Sequence, residues 1–305
     1  MYWLSRLAGI AGCAAAVALS GCAESSVPPK PIAASSDWID AGGVRYHRPH
    51  YALLRDFAAG RVRPDLPVRY NGGPVLVNPK VYLIFWDYKA YGDSNGVKKL
   101  LQQYAGHMGG SGHNNIYTQY YEVLGSSTIY IENPAKQYGG SWDDDSAIPK
   151  KPTDAQIAAE AIKGVKHFGY DPNGSYVVAT AHGHSTSGFG SHWCAYHSSV
   201  SDGKNVVSYT DFPYMPDAGS ECGANIITPP AGETGTDEGV TIMAGHEYGE
   251  SITDPDPYSG WSGVDGEIGD TCAWHNIANE PFGKKSYATQ PMFSNATQAC
   301  VQSYP

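Results

Sequence analysis

The sequence predicts an α/β protein of three layers, with a mixed sheet, flanking helices and a long loop region pinned by disulfides. Two apolar runs, Lys80–Asp87 (KVYLIFWD) and Ser175–Ala181 (SYVVATA), read as strands buried on both faces. Helical patterns at 93–107 and from Thr153 to His167 fall between them, as alternating strands and helices require. Residues 183–235 are rich in Gly, Ser and Pro and hold two cysteines, which suits a disulfide-pinned loop.

The chain opens on a segment that reads as a leader. Arg6 supplies a basic start, and Leu7 to Leu19 is apolar but short for a mature membrane span. It closes on Leu19-Ser20-Gly21-Cys22, which resembles the lipobox of bacterial lipoprotein precursors. That resemblance implies export, with residues 1–22 as signal peptide and Cys22 carrying the lipid. Ala23 then offers no Asp of the kind that retains lipoproteins at an inner membrane. Residues 23–36 (AESSVPPKPIAASS) lack periodicity and read as a flexible tether. The expected location is the cell membrane (the outer one, if the cell has one) or, after release, the extracellular space.

Residues 37–69 read as an N-terminal arm, with a short amphipathic stretch at Tyr51–Ala59. The main domain is expected over 70–305, from the turn cluster Tyr70-Asn71-Gly72-Gly73-Pro74 onward. Helices are expected at Asp93–His107 and Asn114–Leu124, with a strand at Ser127–Glu132. Thr153 or Asp154 caps the next helix, and a weaker strand follows at Asn205–Thr210. Hydrophobic residues make up 41% of the chain and charged ones 16%, enough for a core and too little charge for disorder. A net charge of −10 gives no footprint for nucleic acid or for an anionic membrane surface, so membrane contact is expected through the lipid alone. A monomer is expected.

Of the six cysteines, Cys13 leaves with the leader and Cys22 is the lipid site. Cys194, Cys222, Cys272 and Cys300 remain, and an oxidising compartment pairs them. Sequence-local pairing, Cys194–Cys222 and Cys272–Cys300, is the choice among three connectivities. A zinc site of all four cysteines is disfavoured because no close Cys-x-x-Cys pair is present.

The chemistry concentrates in one helix. Thr236-Asp237 can cap a helix that runs into His246-Glu247-Tyr248-Gly249-Glu250 and stops before Pro255. His246 and Glu250 lie four apart, so both project from one face and can hold a divalent metal. Glu247 is turned by about 100° from His246, beside such a metal, where a general base for metal-bound water must sit. The segment resembles the H-E-x-x-H helix of zincin metallopeptidases, with Glu250 in place of the second histidine. By analogy with gluzincins, Glu267 completes the ligand set and Asp270 orients His246, although those two roles can be exchanged. The structural alternative is a solvated acidic helix face. Calcium is the alternative metal, through Asp254, Asp256, Asp265, Glu267 and Asp270.

A second group, His182, His184, His192 and His197, follows the SYVVATA strand. His182, His184 or His197 could replace a carboxylate ligand or support a tetrahedral intermediate, and His275 could do the latter. Read blandly, these are polar loop histidines. No nucleophile elbow, phosphate loop or dinucleotide fingerprint is present.

Beyond that helix the chain resembles the phosphate-induced protein (EXORDIUM-like) family of secreted proteins. The likeness is carried by GGPVLVNPKVYLIFW (72–86), SYVVATA, Gly190–Ser199, Glu221-Cys222, helix 236–254, Cys272 and Met292–Cys300. It implies export and disulfides. Plant members of that family lack the His-Glu-x-x-Glu residues, so for catalysis its implication is divided. Two functions are therefore expected to compete. One is an exported, lipid-anchored zinc metallopeptidase acting on extracellular proteins or peptides. The other is a non-catalytic binding or signalling protein with a structural zinc or calcium site.

Overall fold

The computed structural model describes residues 37–54, 68–229, 234–264 and 266–305. The leader, the lipid site at Cys22, the tether and Asp265 lie outside them, as does most of the stretch 51–59.

The centre of the fold is an eight-stranded mixed sheet. Its strands are β1 (Trp38–Ala41), β2 (Val44–His47), β3 (His50–Leu53), β4 (Lys80–Trp86), β5 (Tyr138–Asp144), β6 (Gly174–Thr180), β7 (Trp193–Ser201) and β8 (Val206–Phe212). The order across the sheet is β1-β2-β7-β8-β6-β4-β5, and β3 lines the same edge of β7 as β2. Strands β8, β6, β4 and β5 run parallel to one another, whereas β7 is antiparallel to β8, β2 and β3. Strands β4 and β6 are the two apolar runs of the sequence, and all of β6 is buried.

Three helices flank the sheet: α1 (Val97–Met108), α2 (Asp154–Phe168) and α3 (Glu238–Thr253). Helix α2 starts on a capping box, in which Thr153 Oγ1 accepts from Gln156 N and Thr153 N donates to Gln156 Oε1. Its glycine at 164 faces Ile84 and Tyr176 on one side of the sheet. The other side carries Leu83, Val177, Thr210 and Phe212, which pack toward α1 and α3. Helix α1 begins later than expected because the Asp93 carboxylate accepts from the amides of Val97 and Lys98, so Asp93 lies in the turn before it. Helix α3 ends at Thr253, ahead of Pro255.

Four departures matter. Residues 37–54, expected as an arm outside the main domain, supply three strands of the central sheet. The expected loop 183–235 contains β7 and all of β8. The expected helix Asn114–Leu124 is one 3₁₀ stretch, Asn114–Gln119, followed by a strand, Tyr121–Leu124, that pairs with Ser127–Tyr130 in a separate hairpin. Strand β5 had no counterpart in the sequence reading. The disulfides are Cys194–Cys222 and Cys272–Cys300, with Cα–Cα distances of 5.5 and 5.6 Å.

Candidate metal centre

Helix α3 is buried on every side apart from Ala244, which is only partly covered, so its polar residues must find partners inside the protein. His246 and Glu250 project from one face as the spacing requires, with His246 Nε2 at 3.2 Å from Glu250 Oε2. The other carboxylate oxygen of Glu250 accepts from the amides of Gly269 and Asp270, both at 3.0 Å. That pair of bonds draws the loop 266–270 onto the helix. Gly269 is needed there: a Cβ at this position would stand 2.8 Å from Glu250 Oε1 and 3.0 Å from His246 Nδ1. Two residues on, Cys272–Cys300 fastens the same loop to the strand Ala299–Val301.

Two further imidazoles arrive from the sheet. His197 lies in the middle of β7, in register with Thr210 of β8 and with His50 of β3. The three side chains share one face of the sheet, the face covered by α3. The rings of His50 and His197 stack at 5.9 Å. His197 Nδ1 lies 3.4 Å from Glu247 Oε2 and 3.6 Å from Glu250 Oε2, while its Nε2 is 3.4 Å from Glu267 Oε2 and 3.2 Å from the Asp254 carbonyl. His50 Nδ1 is 3.2 Å from Glu267 Oε2, and its Nε2 meets Asp270 Oδ2 at 2.5 Å. Asp270 Oδ1 reaches back to His246 Nε2 at 3.6 Å.

Three groups of donors therefore lie close enough to hold a cation: His50 with Glu267 and Asp270, His197 with Glu250 and Glu267, and His246 with Glu250 and Asp270. Many of their atoms are buried and have no hydrogen-bond partner, among them His50 Nδ1, His197 Nδ1, His246 Nε2, Glu250 Oε2 and both carboxylate oxygens of Glu267. Burying so many polar atoms unpartnered is costly, and a bound cation removes that cost. The electrostatics agree. Burial opposes charge on His246 and His50, yet neighbouring carboxylates, Glu250 at the first and Asp270 at the second, push their pKa values up to about 10 and about 9. Glu267 is pushed well above the usual carboxylate range by burial first and by Asp254 and Glu250 next. Protons stand where positive charge is wanted.

Glu247 faces His197, whose Nδ1 lies 3.4 Å from its Oε2. Both of its carboxylate oxygens lack hydrogen-bond partners, and burial raises its pKa although His197 and His246 oppose the rise. On its other side it borders a small cavity lined by Leu101, Tyr104, Val177, Thr210, Phe212 and Tyr248.

Asp254, at the end of α3, faces Glu267 and also organises the turn that follows. Its carboxylate accepts from the amides of Tyr258, Ser259 and Gly260 at 2.7, 3.1 and 2.6 Å. Those bonds hold Tyr258 in the left-handed region, φ 68°, an uncommon state for a bulky residue. The Tyr258 ring lies 5.0 Å from that of His50 and is 51% exposed, so it covers the outer rim of the cluster.

Among the sequence-predicted residues, His246, Glu247, Glu250, Glu267 and Asp270 converge, and His197 joins them. His182, His184 and His275 do not. His182 is exposed and paired with Asp217, His184 packs on Tyr91 and bonds the His182 carbonyl, and His275 is exposed. Of the calcium set, Asp256 accepts from Ser199 Oγ at 2.6 Å. His50 was missed; its only signal was its place in the alternating tetrapeptide His50–Leu53, which reads as a half-buried strand. Comparison of the chain with protein-family models, with curated proteins and with solved structures finds no match.

Proposed function

We propose that this protein is a divalent-metal-dependent hydrolase of peptide bonds, exported and anchored by lipid at Cys22, with zinc as the resident metal. The observation that carries the reading is the convergence of six donor residues from separate parts of the chain, beside a glutamate without a hydrogen-bond partner. His246, Glu250, His197, His50, Glu267 and Asp270 form the donor set, and three imidazoles in it suit zinc better than calcium, which takes oxygen ligands. The metal would polarise the scissile carbonyl and activate a water. Glu247, with both oxygens unpartnered and its proton affinity raised by burial, would take that water's proton. The two disulfides agree with an oxidising destination. The likeness to EXORDIUM-like secreted proteins points the same way on export.

The test is a chelator-sensitive casein assay on purified protein with measured metal content. Glu247→Gln should keep its metal and its melting temperature while activity falls by a factor of roughly 100 or more. Full activity in that variant, or wild-type hydrolysis indifferent to chelator, would refute the catalytic reading.

A second reading, a non-catalytic binding or signalling protein with a structural metal, is favoured by the burial. His197, His246, Glu250 and Glu267 are all 0% exposed. It predicts bound metal, no hydrolysis, and a fall in stability when the metal is removed.

A further inference from the structure

The donor set is larger than one ion needs. A zinc site usually takes four ligands. Here three imidazoles and the carboxylates of Glu250, Glu267 and Asp270 converge, and no imidazole is shared between the three donor groups. Each carboxylate, by contrast, belongs to two groups: Glu250 to those of His197 and His246, Glu267 to those of His50 and His197, and Asp270 to those of His50 and His246. Imidazoles with carboxylates shared between them also line carboxylate-rich sites that hold two ions.

We propose that the centre is dinuclear, an inference that rests on the metal-dependent reading above. One ion belongs to His246 and Glu250, with His197 Nδ1 beside them. The other belongs to His50 and Glu267. Asp270 forms a bridge between the two through His50: its Oδ1 faces His246 Nε2 at 3.6 Å, and its Oδ2 accepts from His50 Nε2 at 2.5 Å, which leaves His50 Nδ1, without a hydrogen-bond partner, for the second ion. Within each half the donor atoms are spaced as neighbours on one ion: His246 Nε2 to Glu250 Oε2 is 3.2 Å, and His50 Nδ1 to Glu267 Oε2 is 3.2 Å. Metal bonds of roughly 2.0–2.2 Å give ligand-to-ligand edges of roughly 3.0–3.5 Å.

The experiment loads the metal-depleted full-length protein with zinc, removes the excess and measures ions per chain by elemental analysis. The same protein loaded with manganese is examined by electron paramagnetic resonance. Two ions per chain, a spin-coupled manganese signal, and a fall to one ion in His50→Gln are the expected results. One ion per chain in the wild type would overturn the second site while leaving the metal centre intact, and no bound ion would overturn both. Two ions that persist in His50→Gln, or two uncoupled manganese ions, would overturn the assignment of His50 and of the bridge. The wild-type stoichiometry and coupling decide the matter even if the variant fails to fold.

Discussion

Two of the buried acidic clusters among the described residues solve the same problem differently. At the rim of the sheet, Asp144 and Glu160 face Lys163, whose ammonium lies 2.9 Å from Asp144 Oδ2 and 2.6 Å from Glu160 Oε2. One ammonium balances one carboxylate. Burial, then the hydrogen bond with Asp144, pushes the Glu160 pKa up to about 8, while bonds from Glu160 and Lys163 hold Asp144 well below the usual range against its own burial. That cluster supplies its own cation and a shared proton. At the candidate metal centre the partners of the carboxylates are imidazoles, which can carry protons or give them up to a metal. A lysine closes a cluster, and histidines leave it ready for an exchangeable cation.

The largest contrast should come from truncating one carboxylate in the centre. Glu250→Ala removes a metal donor and the acceptor of two loop amides together. It should abolish metal binding and cost about 3–5 kcal/mol of stability, as removal of one partner from a buried charged group does. Urea unfolding with and without chelator checks this, since the variant should be insensitive to chelator. Unchanged metal content would sink the assignment.

An intermediate effect is expected from opening Cys272–Cys300 by paired serine substitutions. The loss should be about 2–4 kcal/mol. Because Cys272 lies two residues beyond Asp270, metal affinity should fall as well. Removal of Cys194–Cys222, three residues before His197, should do likewise. Thermal melts at saturating and at limiting zinc would separate the two effects; equal losses under both conditions would show the bridges to be remote from the centre.

A pH-dependent effect belongs to the lysine-closed cluster, and its sign is fixed by Glu160. The folded state keeps the Glu160 proton up to a pKa of about 8, above the ordinary 4.5. Its contribution is fully present below about pH 4.5 and is lost as pH rises through 8. Glu160→Gln, which cannot ionise, should therefore melt higher than wild type at pH 8, by roughly 2–4 °C for each kcal/mol, and lose that advantage near pH 5. Chelator should leave this difference untouched. A variant that melts lower than wild type at pH 8 would mean that Glu160 is ionised in its pair with Lys163.

What could be read from the sequence follows from how each residue is buried. Helix α3 was legible because His246, Glu247 and Glu250 sit at helical spacing within one short run, and β4 and β6 because they are almost wholly apolar. Strand β7 was hidden by composition. His197, Ser198 and Ser199 read as loop, yet all three are buried, with Ser198 Oγ donating to the His47 carbonyl and Ser199 Oγ to Asp256. Buried hydroxyls satisfied by distant partners leave no local pattern. Strand β5 was hidden by its glycines, one of which is forced by a ring: a Cβ on Gly139 would stand 2.4 Å from Tyr82. His50 escaped because its partners are more than two hundred positions away, at Glu267 and Asp270. Single-chain periodicity sees one turn or one strand, and a centre gathered from four segments becomes visible only once the sheet has brought its edges together.

The contact between His50 and Asp270 also bears on how the chain reaches this state. The two residues are separated by 220 positions. A cation bound between them would act as a clasp across that interval, and loop-closure entropy assigns such a clasp about 5 kcal/mol against the unfolded chain. The edge strand β3 and the loop after α3 can meet only when nearly all of the polypeptide is available, so the clasp closes late. A chain that stops short of residue 267 holds four of the six candidate ligands and neither carboxylate of the loop, so any cation the full cluster takes would be captured only as the last segments of the fold arrive.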